Sequence, residues 1–306
     1  MRTITSLLAV SIVTISLVVS GGSRIRAQQP DFSQVQIKTT KVASNFYTLE
    51  GQGGTIGVLA GPDGVLMVDS QFAPLTEKIV AAIRNISPGR IRFLINTHVH
   101  GDHTGGNENF AKQGVVLMSR EQLRNRLEKP APTASGAPGT PAPPAALPIL
   151  TYDAPLTIRM NGETVSVIPV PVAHTDGDTM VRFQAADVIM TGDFYRSVGY
   201  PNIDRVNGGS LKGMVEGLTA VVNLAGPATK IIPGHGPIVD KTAVAAHRDM
   251  ILAMRDKVAK LASQGMTIEQ VNASKPTAEF DGKVQGAGTT GERFVGQVYA
   301  EVKAAR

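Results

Sequence analysis

Short hydrophobic runs separated by tight turns fill the chain from about residue 35 to residue 68. Segments 35–42, 46–49, 55–60 and 65–68 have the length and composition of β-strands. Gly61-Pro62-Asp63-Gly64 stands between the last two segments and is typical of a hairpin turn. This part of the chain is therefore predicted to consist of strands, the last two joined as a hairpin.

The hydrophobic period then changes to that of a helix. Pro74 suits the first turn of a helix, where its missing N–H costs no hydrogen bond. Apolar side chains follow at a spacing of three or four residues, which places them on one helical face. The sequence therefore predicts an amphipathic helix whose apolar face carries Leu75, Ile79, Ile83 and Ile86.

Strands and helices alternate through the rest of the chain. Ser119 and Gln122 have the spacing of a capping box, which predicts a short helix to about Glu128. Thr267 and Gln270 repeat that pattern. This order indicates an α/β fold class in which helices cover the outer faces of two packed sheets. Further strands are predicted at 91–95, 156–160, 165–170, 180–183, 188–190 and 230–232, and further helices after Ser210, over about 242–263 and around Phe294, Val298 and Val302.

Residues 1–27 have the composition of a secretory signal peptide. Arg2 gives a positive start, residues 4–20 form an apolar run, and small residues precede a cleavage position after Ala27. We expect a periplasmic or secreted protein that has no membrane attachment after cleavage. An uncleaved anchor is the alternative. No cysteine follows the apolar run, which excludes a lipoprotein anchor.

Charge and cysteine content narrow the classes of function. Residues 1–27 contain three arginines and no acidic residue, so removing them lowers the net charge from +5 to +2. No basic stripe is then left for nucleic acid. The chain has no cysteine, so it has no disulfides and any metal ligand is nitrogen or oxygen. The expected partner is a small-molecule substrate, and the oligomeric state stays open.

Three segments are predicted along the chain. Residues 1–27 are the signal peptide, residues 28–265 the main domain, and residues 266–306 a C-terminal helical extension. Residues 130–148 carry seven of the nineteen prolines and are predicted to form an exposed, partly extended loop. This loop is either a flexible lid over a site or a tolerated insertion, and we favour the insertion.

Metal-binding residue types cluster directly after the predicted strand 91–95. His98-Val99-His100-Gly101-Asp102-His103 holds three of the six histidines and an aspartate. Imidazole and carboxylate are ligands that Zn²⁺ binds well. His174, Asp193 and His235 each follow a predicted strand as well, where loops hold functional groups on a rigid scaffold. The sequence therefore predicts a metal site.

With these residues the chain resembles the metallo-β-lactamase superfamily. The resemblance rests on an H-x-H-x-D-H motif at residues 98–103, on Asp69 before it, and on His174, Asp193 and His235 after it. It covers about residues 40–240. It implies a four-layer αββα sandwich with the site at the edges of the sheets.

The resemblance also implies a role for each side chain. Asp193 would bridge two metal ions, as in glyoxalase II. Asp102 would also orient the attacking water and move its proton, and Asp69 would hold the His-bearing loop or cap its strand. The expected cofactors are two Zn²⁺ ions per chain, with iron or manganese as alternatives. His98, His100 and His174 would bind the first ion, and Asp102, His103 and His235 the second.

Two cations about 3.5–4 Å apart can share a water and lower its pKa, which supplies a bridging hydroxide as nucleophile. We therefore expect an exported di-zinc hydrolase that opens amide or ester bonds, with β-lactams among the candidate substrates. Because Asp193 makes the ligand set glyoxalase II-like, a thioesterase or lactonase is the alternative. A non-catalytic periplasmic metal-binding protein is the alternative from another class, and Asp102 and Asp193 argue against it.

The pocket that would hold the substrate is less well marked. Four side chains follow Asp193 closely and either line this pocket or pack at the edge of the sandwich. They are Phe194, Tyr195, Arg196 and Tyr200, of which the last three are our candidate substrate-binding residues.

Other polar residues are given structural interpretations. His247 lies on the apolar stripe of the helix predicted over 242–263 and is interpreted as a packed or boundary histidine. Asp176 and Asp178 are interpreted as turn formers. Gly51-Gln52-Gly53-Gly54 is interpreted as the mobile hairpin that the resemblance places beside the active site.

Overall fold

Two β-sheets packed face to face form the centre of the fold. A computed structural model of the protein describes residues 31–133 and 136–304, so the predicted signal peptide lies outside the described residues. The described residues from Phe32 onward form one compact unit. Among the described helices, none has both the length and the apolar character needed to span a membrane.

The first sheet contains seven strands that neighbour one another in chain order. The pairs from β1 to β4 are antiparallel, and those from β4 to β7 are parallel. Gly61 pairs with Gly64 at the end of the predicted hairpin, which confirms that turn. The strands are β1 Lys38–Lys41, β2 Phe46–Glu50, β3 Ile56–Gly61, β4 Gly64–Val68, β5 Ile91–Ile95, β6 Val116–Arg120 and β7 Leu150–Tyr152.

The second sheet contains five strands in the order β12-β11-β10-β9-β8. Its pairs are antiparallel except for β11 and β12, which run parallel and are joined through a helix. The strands are β8 Leu156–Met160, β9 Glu163–Pro169, β10 Thr179–Phe183, β11 Val188–Gly192 and β12 Lys230–Pro233.

Apolar side chains on both faces of the sheets explain the layering. Successive side chains of a strand point to opposite faces, so the buried strand β4 contributes to two cores. Leu66 and Val68 pack with Phe183 of the second sheet in the core between the sheets. Val65 and Met67 pack on the other face, against the first helix. Burial on both faces thus requires a helical layer outside the sheet.

Helices cover both outer faces, which gives the predicted four-layer αββα sandwich. The outer face of the first sheet packs on α1 and α3 through Ile79 and Phe110. The outer face of the second sheet packs on α5, α6 and α9 through Leu218, Ile251 and Phe294. The helices are α1 Thr76–Ile86, α2 Gly101–Thr104, α3 Asn107–Lys112, α4 Glu121–Glu128, α5 Leu211–Leu224, α6 Lys241–Ser263, α7 Ile268–Ala273, α8 Ala278–Asp281 and α9 Gly291–Ala304.

One predicted helix start is wrong. Ser119 is buried within β6, and its hydroxyl donates to the carbonyl of Arg120. The helix α4 begins at Glu121 with no side-chain cap. The strand extends to Arg120 because Ser119 and Arg120 pair with β7, and that pairing has no local sequence signal. The second predicted capping box, Thr267 with Gln270, is confirmed at the start of α7.

The described residues of the loop 130–148 are mostly exposed, as predicted, and include a short 3-10 turn at Pro144–Ala146. Backbone hydrogen bonds fix its ends: the amide of Ala142 donates to Leu127, and that of Ile149 donates to Leu117. The C-terminal residues from 266 onward form α7, α8 and α9, in keeping with a helical extension. The domain boundary at residue 265 stays a prediction.

Gly213 offers a test of how tightly α5 packs on the second sheet. A Cβ at Gly213 would lie 1.6 Å from the carbonyl oxygen of Val172, two residues before His174. We expect Gly213→Ala to lower the free energy of unfolding by about 3 kcal/mol, because the helix must move away from that backbone. Urea denaturation followed by circular dichroism measures the change.

Gly296 in α9 is the matched control. A Cβ at this position would have no neighbouring atom within 4 Å. We expect Gly296→Ala to raise the free energy of unfolding by about 0.5–1 kcal/mol, because alanine favours helices. Equal effects of the two substitutions would contradict the packing described for α5.

Candidate metal centre

Loops at the carboxyl ends of strands bring the predicted ligands to one edge of the sandwich. Asp69 follows β4 and His98 follows β5, two parallel neighbours. Asp193 follows β11 and His235 follows β12, the parallel pair of the second sheet. His174 lies in the connection from β9 to β10. The carboxyl ends of parallel strands meet at the same sheet edge, so these side chains converge.

The convergent side chains form two groups of possible metal ligands. Within each group the ligand atoms lie within 4.8 Å of one another. All seven residues predicted as metal ligands belong to one of these groups. The first group is His98, His100, His174 and Asp193, and the second is Asp102, His103 and His235.

The carboxylate of Asp193 lies between the two groups. Its Oδ2 is 4.0 Å from Nε2 of His174 in the first group. Its Oδ1 is 3.3 Å from Nε2 of both His103 and His235 in the second group. Each oxygen therefore faces a different group, as expected for a bridging ligand.

Hydrogen bonds outside the first group determine which nitrogen of each ring faces inward. His100 Nε2 donates to Asp204 at 2.7 Å, and His174 Nδ1 donates to the Asn202 carbonyl at 2.6 Å. Because a carboxylate and a carbonyl only accept, these two nitrogens are protonated, and the other ring nitrogens are those available to a metal ion. These are His100 Nδ1 and His174 Nε2, which face each other at 3.0 Å.

Asp69 fixes the orientation of His98 through Thr97. The Thr97 hydroxyl donates to Asp69 Oδ2 at 2.7 Å, so its oxygen is left to accept from His98 Nδ1 at 3.1 Å. His98 Nε2 is then unprotonated, and it is buried without a hydrogen-bond partner. An orphaned buried lone pair is what an absent cation would leave behind.

The second group is held in a similar way. His103 Nδ1 donates to Asp69 at 2.7 Å, and its Nε2 faces His235 Nε2 at 3.3 Å. Asp102 Oδ2 lies 3.1 Å from His235 Nε2. Gly54 packs directly on the His103 ring, where a Cβ would lie at 2.1 Å. The glycine-rich segment 51–54 thus lies beside the centre, as predicted, and its mobility stays a prediction.

The pKa shifts follow from burial and from neighbouring charges. Burial lowers the pKa of His98 and brings that of His174 to about 4, so both rings are neutral at pH 7. Burial opposes the charged form of His103, yet the carboxylates of Asp69 and Asp193 outweigh it and raise its pKa. Burial likewise opposes ionisation of Asp102, but the hydrogen bond with His235 lowers its pKa to about 2.

These observations fit divalent metal ions. His98 and His174 of the first group are neutral and direct their unprotonated nitrogens inward, which is the form that binds metal. Both groups contain carboxylate oxygen, and nitrogen and oxygen donors of this kind suit Zn²⁺, iron or manganese. The His/Asp cluster is therefore able to bind divalent metal.

Two residues of this network were not predicted from the sequence. Asp204 orients His100, and Thr97 connects Asp69 to His98. Asp204 also accepts hydrogen bonds from the backbone amides of the 3-10 turn at Arg205–Asn207. The aspartate before that turn was a visible local signal, but nothing in the sequence linked it to His100.

The candidate substrate-binding residues are placed on the side of Asp193 that faces α6 and α8. Arg196 Nε lies 4.0 Å from Asp193 Oδ2 and forms no hydrogen bond among the described residues. Tyr195 is buried, and Tyr200 is buried with its hydroxyl bonded to Asp281 at 2.6 Å. Tyr200 thus packs beneath the C-terminal helices, whereas Arg196 is beside the centre. Their binding of substrate stays a prediction, and Phe194 is buried in the outer core.

His247 lies outside both ligand groups and packs edge-on against Tyr195, with ring centroids 5.1 Å apart. This half-buried position confirms its interpretation as a packed or boundary histidine. Asp178 accepts hydrogen bonds from Thr175 within its own turn, as expected for a turn former. Asp176 does more than form a turn, because its carboxylate pairs with Arg126 at 2.6 Å.

Comparison with known proteins agrees with the family resemblance seen in the sequence. Residues 49–244 match the sequence profile of the metallo-beta-lactamase superfamily. A curated relative, the Beta-lactamase-like protein 2 homolog of Caenorhabditis elegans, is 23% identical over 179 residues, which are 58% of this chain and 53% of the relative. The chain therefore spans about half the length of this relative.

Solved structures share the fold at low sequence identity. The stereoselective inverting sec-alkylsulfatase Pisa1 from Pseudomonas sp. superimposes with a TM-score of 0.69 at 15% identity, over 86% of this chain and 50% of the sulfatase. A metallo-beta-lactamase from Pontibacter korlensis superimposes with a TM-score of 0.57 at 19% identity, over 71% of this chain and 99% of its own. Both similarities support the four-layer architecture.

Asp69 and Asp204 offer separate tests of the two ligand groups. We expect Asp69→Asn to weaken Zn²⁺ binding roughly 10–100-fold, because an amide is a weaker acceptor for His103 and Thr97. We expect Asp204→Asn to weaken binding by the first group through His100. Competition with a chromophoric chelator measures both affinities. Asp153→Asn is the control, since that side chain is exposed and pairs only with Arg120 among the described residues, and an equal loss there would contradict the assignment.

His247 gives a test of pH-dependent stability. Burial lowers its pKa from 6.5 to about 4, so below pH 6.5 the unfolded chain takes up a proton that the folded chain does not. Protonation therefore favours unfolding, and this group removes about 2 kcal/mol of stability between pH 8 and pH 5. We expect the free energy of unfolding of His247→Phe to fall by about 2 kcal/mol less than that of the parent protein over this range. Urea denaturation in the presence of a chelator measures both values. If the free energies of unfolding of the two proteins changed with pH in parallel, His247 would be accessible to protons in the folded state.

Proposed function

Because the chain belongs to the metallo-β-lactamase superfamily, we propose that it is a metal-dependent hydrolase that opens ester or amide bonds. One observation carries this proposal: the carboxylate of Asp193 lies between two groups of possible ligands, and the neutral rings of His98 and His174 direct unprotonated nitrogens into the first group. A protein that only stored metal would need neither a shared carboxylate nor a partly exposed Asp102 beside it.

Two Zn²⁺ ions are the cofactors we propose, one in each ligand group. When bound, such a pair lowers the pKa of water to near neutrality and polarises a substrate carbonyl. The protein's own contribution is orientation. Asp69, Asp204 and the Asn202 carbonyl hold the rings in the tautomers that leave the inward nitrogens free.

Asp102 is the residue proposed to move the proton of the attacking water. Its carboxylate is ionised at neutral pH and 25% exposed, and it lies 3.1 Å from His235 Nε2. A carboxylate within hydrogen-bond reach of the water can accept its proton and pass it to the leaving group. Arg196, beside Asp193, is proposed to contact the substrate.

The shared Asp193 favours a second candidate, a thioesterase or lactonase of the glyoxalase II type. β-Lactams are also candidate substrates, as are secondary alkyl sulfates, which the name of the sec-alkylsulfatase suggests. We further propose that residues 1–27 direct export and are removed, which would bring the enzyme into contact with extracellular esters, lactones and β-lactams.

A substrate panel tests the proposed reaction. We expect the Zn²⁺-loaded protein to hydrolyse at least one of a p-nitrophenyl ester, a lactone, a glutathione thioester, a chromogenic cephalosporin and a secondary alkyl sulfate. Chelation and His98→Ala should each lower kcat/KM at least 100-fold, because His98 holds its ion through a nitrogen that has no other partner. Added Zn²⁺ should restore the chelated protein.

The outcomes separate the alternatives. Cleavage of the thioester alone would place the protein with the glyoxalase II type. Activity that survives both chelation and His98→Ala would contradict metal-dependent hydrolysis. Tight Zn²⁺ binding without turnover of any member of the panel would favour a metal-binding protein.

A further inference from the structure

We infer that a cavity beside His100 binds an uncharged aliphatic group of the substrate, and that the proline-rich loop is its wall. The cavity has a volume of about 410 Å³ and is lined by Val99, His100 and Gly101 together with side chains of α4, the loop 130–142 and the turn at Arg205–Asn207. This assignment rests on the proposed function, which it deepens by naming a class of substrate.

The cavity adjoins the metal centre. His100 belongs to both, and it is 27% exposed, whereas His98 and His174 of the same ligand group are fully buried. His100 therefore marks the open side of the first group. A substrate whose scissile bond lies at that group must place one of its two sides in or near this cavity.

Apolar side chains supply much of the lining. About 300–1,000 Å³ is typical of pockets for small molecules, so this volume suits one arm of a small substrate. Val206 is 62% exposed at this surface, an exposed apolar side chain of the kind that marks binding surfaces when it is clustered with others. The apolar lining comprises Val99, Leu127, Pro130, Pro132, Ala142 and Val206.

The charged groups of the lining are already paired. The guanidinium of Arg126 binds Asp176 at 2.6 Å, and its Nη1 donates to the Val206 carbonyl at 3.2 Å. Asp204 accepts from His100 and Asn207 at 2.7 Å each. Either group would have to give up an existing partner to bind an ionic ligand. The free energy lost with that partner exceeds what a new, exposed ion pair would contribute. An uncharged occupant therefore fits better than a carboxylate or an ammonium.

The loop that forms the wall is held in place. The Ala142 amide donates to the Leu127 carbonyl at 2.9 Å, where the loop returns to α4. Further along, Asn107 donates to the Ala146 carbonyl at 3.2 Å. Pro130 and Pro132 restrict the backbone on the cavity side. The described residues of this segment that line the cavity, 130–133, 140 and 142, therefore act as a specificity wall in this proposal.

Acyl-chain length tests this assignment. We expect kcat/KM of the Zn²⁺-loaded protein to rise from p-nitrophenyl acetate through butyrate to octanoate, by up to about fourfold for each methylene that the cavity buries. Ala142→Phe fills the cavity and should lower the octanoate-to-acetate ratio of kcat/KM at least tenfold. The matched control is Ala145→Phe, on the same loop but exposed and outside the lining, which should keep the ratio within twofold.

A second variant guards against misfolding of the first. Val206→Asp places a charge at an exposed position of the lining, where the fold tolerates it, and should reduce the same ratio. Thermal unfolding of all variants shows whether they are folded. Ester hydrolysis whose rate does not depend on chain length, or an unchanged ratio in both variants, would overturn the cavity assignment and leave the proposed hydrolase intact.

A second measurement separates a failure of the proposed hydrolase function from a failure of the cavity to bind an aliphatic group. If no ester is hydrolysed, binding of N-octylacetamide is measured by saturation-transfer NMR on the same proteins. Signal in the parent protein that is lost in Ala142→Phe supports the cavity without the reaction. No signal in the parent protein overturns the cavity as well.

Discussion

Both ligand groups depend on one buried carboxylate, that of Asp69. Oδ1 accepts the backbone N–H of Thr97, and Oδ2 accepts the Thr97 hydroxyl and His103 Nδ1, all at 2.7 Å. Because the Thr97 oxygen then accepts from His98, a single carboxylate orients one ring in each group. The backbone of Asp69 has a positive φ of 65°, which costs on the order of 1 kcal/mol in a non-glycine residue and is offset by these bonds.

Most of the architecture and the residues of both candidate ligand groups could be predicted because their signals are local. Short hydrophobic runs bounded by turns mark strands, and four of the candidate ligands lie within the six residues 98–103. His174, Asp193 and His235 each follow a strand that was predicted within a few residues of its observed bounds. Strand ends are where a sandwich collects functional groups, so position along the chain was sufficient to nominate them.

The parts that could not be predicted depend on distant contacts. Asp204 orients His100 from 104 residues further along the chain, and no local pattern connects the two. Ser119 has the sequence signal of a helix cap but lies in β6, because pairing with neighbouring strands overrides it. Composition predicted that the proline-rich segment is exposed, yet only the position of Ala142 and its neighbours beside His100 indicates a part in binding.

Charge balance limits what the centre can hold. Four carboxylates belong to the ligand groups or bind their rings directly: those of Asp69, Asp102, Asp193 and Asp204. Largely buried charges of one sign are unfavourable unless they are compensated. Two divalent cations would compensate them fully and leave all five imidazoles neutral, which is the state that burial already favours for His98 and His174. Arg196, 4.0 Å from Asp193, then contributes one excess positive charge. That excess would stabilise the negative charge that develops on a substrate oxygen during hydrolysis, because such charge is favoured by fixed positive groups in a partly dehydrated site.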